Sequence, residues 1–409
     1  MDLTWSVPGP GFGCAEMMGL LLLATFAAEL DDPLLPESWR QQALELAREE
    51  VAVVTEADYS PLQKLGHEIF FSEEFSGDGQ TSCATCHDPD QAFQDGQSHP
   101  RGVQKIHRDT PGLWGVDQQR WFGWDGRWDS LWSQALEPIE TVEELDSDRL
   151  ALLRWIDREP DRRQLYEAAF GDFPPLNDLP EKAREGSQWS DGYQQLPEER
   201  RRQLNRAFTH AGRAIAAYEE TLQAPRTSFD RYLEALENGD AAGAAEYPAK
   251  ARQGLIIFLD RGRCVFCHNG SALTDGEFHD TGLITAGSSA RDSGRYGGVL
   301  DLKRSPFNLL GEFSDQQKGA AADRTRRARR DSKMWGAFRT PGLRGLTHTA
   351  PYFHDGSRKD LEGVIRFYSR RENARPVQQG AGHHGERLVE PLNLTPVEED
   401  LLVEFLKTL

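Results

Sequence analysis

Apolar residues recur along this chain at helical spacing. Leu204, Phe208, Ala211, Ile215, Tyr218 and Leu222 follow one another at intervals of 4, 3, 4, 3 and 4 residues, the period of one buried face on an α-helix. Pro225 stands just past the predicted end, where it would stop the helix. Residues 37–54 have helical composition, and the closing stretch Pro396 to Leu409 puts Leu401, Leu402, Phe405 and Leu406 on one side. No run alternates apolar and polar residues for long enough to suggest the strands of a sheet core. The expected fold is therefore mainly α, with long loops. Residues 238–245 (NGDAAGAA) read as a linker, dividing the chain into 29–245 and 246–409. Residues 281–335 read as a long Gly-, Ser- and Arg-rich excursion, and its basic run (Arg324, Arg326, Arg327, Arg329, Arg330) reads as a solvated loop face.

One apolar run, Met17 to Ala28, is too short to span a membrane and about right for the core of a signal peptide. Residues 1–28 are accordingly a signal-like segment, although no Lys or Arg precedes the run. No membrane span is expected. At 409 residues the chain suits two or three domains. Its net charge of −19 repels phosphate backbones and sets nucleic acid aside as a partner.

Cysteine usage changes the picture most. Four of the five cysteines fall in two C-x-x-C-H pentapeptides, Cys83-Ala84-Thr85-Cys86-His87 and Cys264-Val265-Phe266-Cys267-His268. This is the signature of covalent c-type haem: two thiols add across the vinyl groups, and the adjacent histidine gives the proximal nitrogen to iron. The motifs lie 181 residues apart, far beyond the spacing of the two halves of a zinc site. One motif in each half gives two cytochrome c-like haem domains in tandem, a duplication without an obvious sequence repeat. Methionine is scarce: Met334 is the one candidate thioether ligand outside the signal-like region, and it reads as ordinary packing.

The stretch FRTPGLRGLTHTAPYFHDG (338–356), with the two haem motifs and Trp124-Asp125-Gly126-Arg127, resembles the bacterial di-haem cytochrome c peroxidase/MauG superfamily. Residues 120–127, with Ser130-Leu131-Trp132, look closest to its MbnH-like branch, whose members oxidise a tryptophan on a partner protein. The resemblance covers the chain from about Leu62 to its end. It implies that Cys83, Cys86 and His87 hold the peroxidatic haem, where hydrogen peroxide binds, and that Cys264, Cys267 and His268 hold the electron-transfer haem. It places Tyr368 as the sixth ligand of the second iron, where many relatives have methionine. It makes Trp124 the relay between the haems, and Gln134, Pro138 and Glu144 the distal pocket, with Glu144 as acid–base group. It implies a calcium ion at Asp109, Thr349 and Pro351, with Asp where the family has Asn, and places His354 behind the second haem. The expected activity is a periplasmic peroxidase-type oxidoreductase that oxidises an aromatic side chain of a protein substrate. The alternatives are a cytochrome c peroxidase fed by a small electron donor and a non-enzymatic electron carrier.

Overall fold

The computed structural model describes residues 32–48, 54–283, 292–372, 374 and 390–409. The signal-like segment and residues 49–53 lie outside them. The helix expected from the longest apolar period spans Glu198–Glu219 and buries Leu204, Phe208, Ala211, Ile215 and Tyr218, with Leu222 buried just beyond its end. It crosses the helix Pro61–Phe71 at Gly66, where a Cβ would stand 1.8 Å from the carbonyl oxygen of Ala214. Only glycine lets two backbones approach so closely. The other half repeats the device. Helix Ala249–Leu259 crosses the closing helix Pro396–Leu406 at Gly254, where a Cβ would stand 2.0 Å from the Leu401 carbonyl oxygen. Each glycine-bearing helix precedes a C-x-x-C-H motif, so each helix pair forms the wall on which a motif is seated.

Two hydrophobic cores result. The first runs from Leu65 to Leu222. The second joins Leu35, Ala43 and Leu46 to Phe229, Tyr232 and Leu236 and onward to Leu409. The chain passes from one core to the other between Leu222 and Phe229, ahead of residue 245. Residues 238–245 are not a linker. Gly239, at φ 66°, closes the helix Ser228–Asn238; Asp240 then caps Ala241–Ala245 by accepting from the Ala242 and Gly243 N–H groups, and Ala244 is buried. The N-terminal helix is also shorter than expected, spanning Glu37–Leu44.

The excursion is likewise more ordered than its composition suggested. It contains helices Arg295–Arg304 and Ala320–Arg327, and its Leu302 joins Trp121, Phe278 and Ala337 from outside the excursion in a small core. Its basic run is partly spent on aromatic faces: Arg324 lies 5.7 Å from the Trp121 ring centre and Arg330 lies 4.0 Å from that of Tyr296. Among the described residues the strands form two antiparallel pairs only, Arg184–Glu185 with Gln188–Trp189 and Phe278–His279 with Phe338–Arg339. No helix among them is long and apolar enough to cross a membrane.

The structure also reveals a repeat not expected from the sequence. Thr110-Pro111-Gly112-Leu113 recurs as Thr340-Pro341-Gly342-Leu343, a register of 230 that persists for some thirty residues. Gly115 and Gly345 share φ values of 69° and 71°, and Gly123 and Phe353 share 72° and 70°. The bridges Phe122↔Trp128 and Tyr352↔Arg358 close the same loop in each half. This register matches Trp124 with His354, Asp109 with Arg339 and Pro138 with Tyr368. The two loops are clasped reciprocally: the Asp109 N–H donates to the His354 carbonyl at 3.0 Å, and the Arg339 N–H donates to the Trp124 carbonyl at 2.8 Å.

Candidate functional site

Both C-x-x-C-H motifs present their histidines in the same way. His87 Nδ1 lies 2.8 Å from the Phe93 carbonyl oxygen, and His268 Nδ1 lies 3.0 Å from that of Leu273. A carbonyl can only accept, so Nδ1 carries the proton and Nε2 keeps its lone pair free for a metal. Each carbonyl comes from a residue with positive φ, 58° at Phe93 and 53° at Leu273, a strained conformation that turns it back onto the ring. Burial lowers the pKa of both imidazoles, which favours the neutral ligand form. The four thiols are not joined in disulfides. Burial pushes Cys86 and Cys264 up to about 12. Such thiols are protonated at neutral pH, unlike the thiolates of a zinc site, and they suit sulfur that ends as a neutral thioether.

In the second half, Cys264, Cys267 and His268 line a cavity together with Tyr368, Trp124 and His354. Tyr368 is carried by the helix Leu361–Arg370, which Asp360 caps by accepting from the Gly363 N–H. Burial raises its phenol above the ordinary tyrosine value, so a phenolate here requires a positive charge beside it. Met334 is more than a third exposed and does not line this cavity. His354 stacks on Phe338 at 3.5 Å between ring centres and faces Trp124 at 6.5 Å. Burial first, then Arg108, brings its pKa down to about 4 against the pull of Asp355 and Asp292. The Trp124 indole N–H donates to the Asp109 carbonyl at 2.8 Å.

The first half gathers the other expected residues. The adjacent glutamates are each held by a backbone bond but differ in exposure: the Val103 N–H donates to the Glu144 carbonyl at 2.8 Å, the Gln104 N–H donates to that of Glu143 at 2.9 Å, and of the two only Glu143 is exposed. Glu144 is pushed up to about 7 by burial and by Glu137 and Glu143, against the pull of Arg127. Its charge raises the thiol pKa of both Cys83 and Cys86, after burial and nearer charges. Gln134 and Pro138 are half-buried on the two short helices Leu131–Gln134 and Glu137–Glu140, between the Trp124 loop and Glu144. Behind that loop Asp125 is buried and bonded to Arg108 and Arg127, at 2.8 and 2.7 Å.

Asp109 lines the cavity with Thr349 and Pro351. Its Oδ1 is buried without a hydrogen bond, as are one carboxylate oxygen of Asp95 and one of Asp355. Burial, Asp95 and Asp355 push Asp109 up to about 9. Three orphaned carboxylate oxygens acting on one another fit a hard divalent cation such as calcium. They are not drawn into a tight ligand set. The one trio of metal-ligating side chains that converges among the described residues is Cys267, Asp275 and His279, and there His279 Nε2 is engaged with Asp275 at 2.7 Å. Sequence reasoning missed Asp95, and it also missed Glu219 and Arg339. Glu219 is buried, with one oxygen unpartnered, and its charge acts on Cys83. No motif marks Asp95 or Glu219, and Arg339 stands in the stretch 338–356 without a role of its own; burial singles them out.

Residues 60–238 match the family model described as di-haem cytochrome c peroxidase. The chain is 28% identical over 347 residues to the methylamine utilization protein MauG of Methylorubrum extorquens, covering 84% of this chain and 77% of that protein. It is 27% identical over 358 residues to a cytochrome-c peroxidase of Pseudomonas sp. (strain SCT), covering 84% of this chain and 79% of that one. Among solved structures, a MauG-like protein associated with microbial copper homeostasis superposes with a TM-score of 0.58 at 23% identity, covering 88% of this chain and 93% of that one.

Proposed function

Because the chain belongs to the di-haem cytochrome c peroxidase/MauG family and is a peroxidase-type oxidoreductase acting on hydrogen peroxide, we propose that it is an exported, periplasmic enzyme that uses peroxide to oxidise an aromatic side chain, such as tryptophan, on a protein partner. When bound, the two c-type haems supply iron that accepts oxidising equivalents from peroxide. His87 and His268 would hold the irons through Nε2, and the four cysteines would bond the porphyrins as thioethers. Glu144 takes the proton of the near peroxide oxygen and returns it to the departing oxygen. Gln134 orients the peroxide. Pro138 would offer the first iron no side-chain ligand, whereas the position matched with it in the second half is Tyr368, which would offer a phenol oxygen. Trp124 lies on the path between the halves, and the partner supplies the two electrons.

The observation that carries this reading is Tyr368, rather than a methionine, on the cavity with Cys264, Cys267 and His268. An anionic oxygen ligand lowers the potential of an iron and favours its higher oxidation states, whereas a thioether raises the potential and suits electron uptake from a carrier. The test is a redox titration of the holoprotein with Tyr368→Phe and Tyr368→Met. A low-potential couple in the native protein that rises sharply in the Met variant supports the reading. A low-spin ferric spectrum unchanged in the Phe variant rules out Tyr368 as ligand. Rapid steady turnover of peroxide with a reduced small cytochrome, and none with protein aromatics, would favour the electron-donor peroxidase instead.

A further inference from the structure

One buried cation on the second cavity has no anion to answer it. Arg339 is 4% exposed and lines the cavity that holds Cys264, Cys267 and His268. Its Nε and Nη1 reach only the Gly123 and Thr340 carbonyl oxygens, each at 3.4 Å. No carboxylate among the described residues acts on it, and burial alone pulls the guanidinium down to about 10. Two other arginines on the same cavity differ: Arg48 and Arg344 both pair with Asp230, at 3.1 and 2.5 Å. A charge is not left in a dry interior without a counter-charge, and two long bonds to peptide dipoles do not supply one. The missing anion therefore belongs to whatever fills the cavity. A c-type haem brings two propionate carboxylates, and guanidinium with carboxylate is a strong, geometrically specific pair.

We propose that Arg339 is the propionate-binding residue of the C-terminal haem. The internal repeat sets the residue apart. The position matched with Arg339 is Asp109, held by the same reciprocal backbone bond but carrying a buried carboxylate with an orphaned oxygen. One backbone thus carries a guanidinium in one half and a carboxyl group at the matched position in the other, and Arg339 is bonded through its own N–H to the Trp124 carbonyl. A cation at the haem edge opposes the extra positive charge of ferric iron, so it holds the potential of the C-terminal haem up.

The inference rests on the reading that this cavity houses the second haem. The test is an equilibrium redox titration of the native holoprotein, Arg339→Gln and Arg339→Lys, with haem counted by pyridine haemochrome and propionate bending followed by resonance Raman. Arg339→Gln is expected to keep two haems and to shift the C-terminal couple toward ferric about tenfold, which is about 59 mV for one electron. Its propionate band should move. Arg339→Lys, which keeps the charge, should restore most of the shift. Two haems with unchanged potential and unchanged propionate band in Arg339→Gln would overturn the proposal while leaving the cavity assignment intact. Should the Gln variant fail to fold, a holoprotein crystal structure decides: no propionate oxygen within about 3.5 Å of the guanidinium overturns it. A native protein with haem on the first motif alone would overturn the cavity assignment as well.

Discussion

Glu144 gives the sharpest kinetic test. It is held at about 7 rather than its ordinary value of 4.5, and only its ionised form can accept the first proton of peroxide. At a pKa near 7, about one tenth is ionised at pH 6 and about nine tenths at pH 8, so the rate constant for reaction with peroxide should climb about ninefold across that interval. Glu144→Gln keeps the shape and removes the titration; its rate should fall by about 10²–10⁴ and lose the slope. Glu143→Gln is the control: that side chain is exposed, so the variant should keep the native slope, displaced to lower pH because a charge that raises Glu144 is lost. The assay is stopped-flow mixing with peroxide, followed at the Soret band. The stability consequence has a definite sign. A carboxyl whose folded pKa is raised holds a proton that the unfolded chain has already lost between about pH 4.5 and 7, so its contribution to stability falls as pH rises through that window. The Gln variant should unfold with less pH dependence there. A native rate that is flat from pH 6 to 8, or a Gln variant that keeps both rate and slope, would show that the proton is handled elsewhere.

Two structural predictions accompany it. Chelation with EGTA should lower the melting temperature of the holoprotein by several degrees, as expected for loss of a ligand bound with an advantage of about 2–3 kcal/mol, and added calcium should restore it. In Asp109→Ala calorimetry should find no EGTA effect, whereas an EGTA effect of native size in that variant would remove Asp109 from the site. Gly254→Ala forces a methyl group against the Leu401 carbonyl and should cost about 1–3 kcal/mol in urea unfolding; a native midpoint would mean that the two helices can separate freely.

Much of this was legible in the chain. The two haem motifs, the helix Glu198–Glu219 and the closing helix follow from strong local patterns. The misread regions failed for physical reasons. Residues 295–304 form a helix, but Gly297 and Gly298 interrupt any apolar period there. Residues 238–245 are rich in Ala and Gly, a composition that serves a short capped helix as well as a linker. The packing of Leu35, Ala43 and Leu46 into the second core is long-range and leaves no local trace. The register of 230 was present in the letters but obscured, because most matched positions have diverged: Trp124 with His354, Asp109 with Arg339, Trp121 with Pro351. A lone charged residue such as Glu219 becomes informative only when its burial is known.

The clasp between the halves is built entirely of peptide groups. Peptide N–H and C=O are the same under every side chain except proline's, so the bonds from Asp109 to His354 and from Arg339 to Trp124 tolerate any other substitution at these four positions. These two bonds therefore leave the side chains they join at liberty to diverge, one pair toward a carboxylate and an indole, the other toward a guanidinium and an imidazole.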